Sequence, residues 1–251
     1  MEKEYLKNLL PLLTEEAIVV GQDPWGERIN LDFSNEDKKL VIMLSDESHI
    51  PTNFNNCLVF RNYINPNNPS PNERPIPLPI TDGYETNNKN ISDRKYLASF
   101  SGYCGGSHRR DMYFILQYIK NKTKQNIYLK KTEGFAKGLS KSEYSKLMSD
   151  TKLAICPWGS SYETFRLSES LKAGCIPVQI KRPLQWYDPK EECIWIDDWK
   201  ELPKIFNFVA KMSDEELYNR SRRSIEFYKS NISEKAVAKY INSEWKKFIG
   251  E

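Results

Sequence analysis

Apolar residues along this chain fall in short runs separated by polar loops. Lys39–Leu44, Cys57–Phe60, Leu97–Phe100, Ile127–Lys130, Leu153–Ile155, Ile176–Ile180 and Cys193–Ile196 each predict a buried strand. Between them, apolar positions return at helical spacing. A helix opens at His108, and Ser140-x-x-Glu143 is a capping box for a short one over Tyr144–Met148. Ser213-x-x-Glu216 caps another, with Leu217, Ile225 and Phe227 as candidate buried positions. The last starts near Ser233 and carries Val237, Tyr240, Ile241, Trp245 and Phe248 on one stripe. Residues 2–20 suggest an amphipathic helix with a strand-like tail. This alternation predicts an α/β fold with parallel sheets.

The most informative stretch is KLAICPWGSSYETFRLSESLKAGCIPVQI, Lys152 to Ile180. A strand breaks at Pro157 and Gly159, and a helix with Phe165, Leu167 and Leu171 follows. Gly174 stands where a helix C-cap is expected, before the next strand. Such a unit points its loop and helix N-terminus to the edge of the sheet where ligands bind. Free N–H groups and the positive end of the dipole suit a phosphate there. Arg166 adds a cation in the first turn, and Glu169 on the same face can accept from sugar hydroxyls. The same spacing fits a surface ion pair. The Gly-rich loop Ser101–Ser107 leads into His108-Arg109-Arg110, which fits either a second anion contact or a solvated basic helix start. It is not a GxGxxG fingerprint.

Six prolines between Asn65 and Pro79 predict a stiff, extended connection. Residues 85–95 read as a polar, mobile link. The chain divides into a small first lobe, 1–95, a second lobe, 96–232, and a C-terminal helix, 233–251, expected to return to the first lobe. A formal net charge of +3 over 251 residues does not indicate a nucleic-acid partner. Five scattered cysteines without a CxxC, and two histidines, favour neither a zinc site nor a disulfide framework. No stretch reads as a signal peptide or membrane span, so the expected location is the cytoplasm.

The run CPWG…ETFRLSESLKAGCIPVQI resembles the signature of the exostosin-type (GT47) glycosyltransferases. The resemblance implies a GT-B-like fold of two Rossmann-like lobes and inverting transfer of a sugar from a nucleotide sugar, typically a UDP-sugar, to a glycan hydroxyl. By that resemblance Arg166 holds the diphosphate and Glu169 the donor ribose or sugar. Arg109, Arg110, Lys131, Pro157, Trp158, Gly159, Thr164 and Phe165 complete the expected donor side. Asp46-Glu47, Phe60-Arg61-Asn62-Tyr63 and Leu78-Pro79 are laid out as in exostosin-like xylosyltransferases, which makes UDP-xylose the first donor to consider. The small first lobe suits a compact bacterial or viral enzyme.

Inverting transfer needs the leaving diphosphate stabilised and the acceptor hydroxyl deprotonated. Asp46, Glu47 and His49 close a strand of the opposite lobe and are the candidate bases, although SDESH also fits a turn and cap. Arg61 and Tyr63 are candidates for the acceptor side. No cofactor or metal is expected. Two alternatives remain at this point: a non-catalytic nucleotide-sugar-binding module, and a metal-dependent GT-A-type transferase using Asp197-Asp198, which also fit a helix cap.

Overall fold

The computed structural model describes residues 2–21, 37–45, 56–64, 70–87, 89–134, 137–159 and 161–251. The chain starts with α1 (Lys3–Leu9), then lays down β1 (Ala17–Gly21), β2 (Lys39–Leu44), β3 (Cys57–Arg61) and β4 (Glu73–Pro75). These strands are parallel and sit side by side in chain order. A second unit follows: β5 (Tyr96–Tyr103), α2 (Ser107–Lys122), β6 (Ile127–Thr132), α3 (Lys141–Ser149), β7 (Thr151–Ile155), α4 (Phe165–Lys172), β8 (Ile176–Ile180) and β9 (Ile194–Ile196). Its sheet is also parallel, in the order β6-β5-β7-β8-β9. Three helices end the chain: α5 (Leu202–Val209), α6 (Asp214–Phe227) and, after a π-turn at Tyr228–Ile232, α7 (Glu234–Ile249).

The second sheet is covered on both faces, as parallel sheets are. Leu153 and Ile155 of β7 pack with Met112, Leu116 and Ile119 of α2 and with Phe206 and Val209 of α5. The alternate residues Ala154 and Cys156 pack on the opposite face with Met148, Ala173 and Cys175. In the first sheet Leu40, Ile42, Leu58 and Phe60 meet Tyr5 and Leu9 of α1 and Val237, Ile241 and Trp245 of α7. The C-terminal helix therefore serves the core of the first sheet with its apolar stripe, and Tyr240 on that stripe also meets the Trp186 ring, with ring centres 4.2 Å apart.

The capping boxes at Ser140/Glu143 and Ser213/Glu216 both form. Gly174 takes φ +65°, the left-handed conformation that ends α4. Two expectations need correction. The proline-rich connection contains β4, which is tolerated because it is an edge strand, where Pro75 need not supply a ladder N–H. The link at 85–95 is anchored: Ile91 is 1% exposed, and the Arg94 guanidinium donates to Thr151 O at 2.9 Å and Ala173 O at 2.7 Å. Those carbonyls, at a strand start and a helix end, need donors, and that offsets burial of the cation. All five cysteines are buried and free. Among the described residues no helix is long and apolar enough to cross a membrane.

Candidate functional site

From β5 the chain goes to β6 on one side and returns to β7 on the other, so a crevice opens beyond the C-terminal ends of β5 and β7. Arg166, in the first turn of α4, lies across it. Its Nη2 donates to Ser101 O in β5 at 2.5 Å, and its Nη1 to Ile155 O at the end of β7 at 3.3 Å. Nε donates to Tyr144 Oη at 3.2 Å, and the guanidinium lies 4.7 Å from the centre of the Phe100 ring. None of these partners is a carboxylate. Thr164, at the N-cap of α4, makes no side-chain cap bond; its backbone carbonyl accepts from the Leu167 N–H at 3.1 Å, so no side chain caps the first turn.

Arg109 spans the same crevice from α2. Its Nε donates to Trp158 O at 2.7 Å, Nη2 to Pro157 O at 3.4 Å and Nη1 to Tyr103 O at 3.3 Å. The guanidinium thus holds the loop after β7, and a Cβ on Gly159 would come within 3.2 Å of Nη2. Trp158 stacks on His108 at 4.1 Å, and Trp199 Nε1 donates to His108 Nδ1 at 3.2 Å. Accepting that bond requires an unprotonated Nδ1. Burial, with Arg109 alongside, keeps the His108 pKa below its usual value.

Glu169 is 4% exposed. Its Oε1 accepts from Thr81 Oγ1 at 2.8 Å, its backbone carbonyl accepts from Tyr84 Oη at 2.9 Å, and the Tyr144 hydroxyl also engages the carboxylate. Arg166 and Glu169 are therefore linked through Tyr144 and are not a surface ion pair. The connection after β4 crosses α4 here, which is why Glu169 is buried and its pKa raised.

Glu163, just before the N-cap of α4, was not marked by any sequence pattern. Its Oε1 accepts from Tyr187 Oη at 2.8 Å, and the backbone N–H of Tyr63 lies against the carboxylate. Tyr63 reaches that position with φ 58°, a left-handed conformation uncommon for a bulky side chain. Burial pushes the Glu163 carboxyl up to about 7. Tyr144, Thr81 and Arg182 were also missed. A tyrosine and a threonine remote in sequence carry no signal, whereas Arg182 stands just past the strand after the signature and could have been found by its place at that sheet edge.

The remaining expected residues separate. Pro157 is buried, Trp158 and Phe165 are half-buried, and Gly159, Arg110 and Lys131 are exposed. Arg61, expected on an open acceptor side, is 1% exposed and bonds Glu73 at 2.9 Å, because its strand is buried along its length. Tyr63 is likewise 4% exposed. Asp46, Glu47 and His49 lie outside the described residues. Asp198 accepts from Lys200 N at 2.8 Å as a helix cap, and Asp197 pairs with Lys181 at 3.0 Å.

The chain is 27% identical to ribitol-5-phosphate xylosyltransferase 1 of Danio rerio over 153 residues, covering 55% of this chain and 35% of that protein. It thus spans about a third of the length of the curated relative it matches. The crystal structure of TarM superposes with a TM-score of 0.57 at 9% identity, covering 99% of this chain and 57% of that one. That likeness concerns fold, two Rossmann-like lobes in the GT-B-like arrangement. The GtfA/B complex is a further neighbour, with a TM-score of 0.46, 10% identity, and coverage of 71% of this chain and 41% of that one. The family model described as the exostosin GT47 domain matches residues 18–203, well over half of the sequence, and the chain belongs to that family.

Proposed function

We propose that this protein is an inverting glycosyltransferase that moves a sugar from a UDP-sugar donor to a glycan hydroxyl without a metal ion. The observation that carries this reading is Arg166. It is a cation at the N-terminus of α4, beside the crevice between β5 and β7, bonded to carbonyls and a phenol and to no carboxylate. In this reading its remaining N–H groups, the uncapped first turn of α4 and Arg109 bind the donor diphosphate and stabilise charge as it leaves. Buried Glu169 accepts hydroxyls of the ribose. The base comes from Asp46, Glu47 or His49 of the first lobe. Xylose is the first sugar to consider, supported by the name of the Danio rerio relative.

The test is calorimetric titration of UDP and UDP-xylose into wild type and Arg166→Ala, followed by transfer assays against a glycan panel with EDTA present. Binding lost in the variant, with its fold intact by circular dichroism, is the expected result. Unchanged UDP affinity in Arg166→Ala would sink the assignment. Arg166-dependent binding with neither transfer nor donor hydrolysis would leave a non-catalytic binding module.

A further inference from the structure

A second pocket, of mixed apolar and polar lining, lies between the connection after β4 and the N-terminus of α4. It is a cleft of about 250 Å³, including its solvent-open part, lined among others by Leu78, Glu163, Ser168, Arg182, Tyr187 and Ile232. Two polar atoms of its lining residues are buried and lack a hydrogen-bond partner: Glu163 Oε2 and Arg182 Nε. Both are left over after their side chains are fixed. Glu163 spends Oε1 on Tyr187, and the Tyr63 N–H that lies against the carboxylate does not bond Oε2. Arg182 has a side chain 3% exposed and spends Nη1 and Nη2 on Asp188, at 2.7 and 2.5 Å. The Gln185 N–H adds a bond to Asp188 at 2.6 Å, which holds the acid in place.

An orphaned acceptor and an orphaned donor in one pocket are each costly, on the order of 1–3 kcal/mol. A hydroxyl group satisfies both, because it donates one hydrogen bond and accepts another. A phosphate does not fit, because the Glu163 carboxylate would repel it even though Arg182 Nε could donate to it. An apolar group would leave both unpaired.

We propose that Glu163 Oε2 and Arg182 Nε form a subsite for one hydroxyl of the transferred sugar or its acceptor, which makes Glu163 a specificity-determining residue. The sugar's O–H donates to Oε2, and its oxygen accepts from Nε–H. This rests on the glycosyltransferase reading. The near-neutral carboxyl of Glu163 fits the role, because a donating hydroxyl favours its charged form.

The experiment titrates UDP, UDP-xylose and its monodeoxy analogues into wild type, Glu163→Gln and Arg182→Lys. Steady-state KM values for acceptors and their deoxy analogues accompany the titrations. If the hydroxyl belongs to the donor, UDP affinity stays unchanged in Glu163→Gln while UDP-xylose weakens about tenfold or more, and one deoxy analogue weakens equally on wild type. If it belongs to the acceptor, donor affinities hold and acceptor KM rises by that factor. Should Glu163→Gln fail to fold, Arg182→Lys read beside the deoxy series on wild type decides the matter. Insensitivity of wild type to every deoxygenation, with unchanged donor and acceptor constants in folded variants, would overturn the subsite and leave the transferase standing. Failure of wild type to bind UDP would overturn the transferase reading, and the subsite with it.

Discussion

Arg166 donates to the Ser101 carbonyl at 2.5 Å, so the first turn of α4 is tied to a strand from the other side of the sheet's switch point. The same guanidinium reaches Ile155 O, stacks near Phe100 and bonds Tyr144. A planar fork with several N–H groups can do this and still point donors outward. A lysine ammonium cannot cover both strand ends at once.

Arg166→Lys therefore keeps the charge and loses the geometry. UDP affinity is expected to fall about tenfold or more, since a hydrogen bond to a charged group contributes ~1.5–3 kcal/mol. Titration calorimetry reads this directly. An affinity within twofold of wild type would show that charge alone suffices.

Arg94→Ala should be among the more destabilising single changes. It leaves the carbonyls of Thr151 and Ala173 without their buried donor, beside Cys175. A loss of about 2–4 kcal/mol is expected from two such groups, seen as a lower urea midpoint. A variant as stable as wild type would mean water replaces the guanidinium there.

Gly174→Ala strains the end of α4 twice over. The residue has φ +65°, and a Cβ would lie 2.6 Å from Ser221 Oγ and 2.9 Å from Ile225 Cδ1 of α6. A cost of about 1–3 kcal/mol is expected, greater than for an exposed C-cap glycine, where nothing is overpacked. Thermal melts of Gly174→Ala beside Gly250→Ala make the comparison, because a Cβ on Gly250 at φ +89° meets nothing within 4 Å.

Glu163 gives the protein a specific pH dependence. Its folded pKa of about 7 lies above the ordinary 4.5. Between those values the folded state holds a proton that the unfolded chain has released, so stability falls as pH rises from about 4.5 to about 7. Burial raises the pKa of Glu169 and Asp188 as well, and these act in the same direction. The part owed to Glu163 is the difference between wild type and Glu163→Gln. Relative to wild type, the glutamine variant should gain on the order of 1–3 kcal/mol between pH 5 and pH 8. Parallel stability curves would place the Glu163 carboxyl near its usual pKa.

Much of the architecture is legible in the order of residues, because it depends on local periodicity and local hydrogen bonding. Short apolar runs fit strands that are buried on both faces, and β8 begins and ends where its run does. Ser140 and Ser213 cap helices through bonds three residues away, and Gly174 ends α4 through its own φ. The signature also puts Arg166 and Glu169 in the first turns of a helix at a sheet edge. What each of these two touches depends on strands and connections far along the chain, so a surface ion pair was equally compatible with their spacing. Tertiary structure alone sends Arg166 to Ser101 and Glu169 to Thr81, and sinks Arg61 beneath the surface against Glu73. It alone leaves Glu163 Oε2 and Arg182 Nε buried without partners in one cleft. The physical reason is that pairing and burial of a polar group depend on every neighbour within a few ångströms, and here most of those neighbours are distant in sequence.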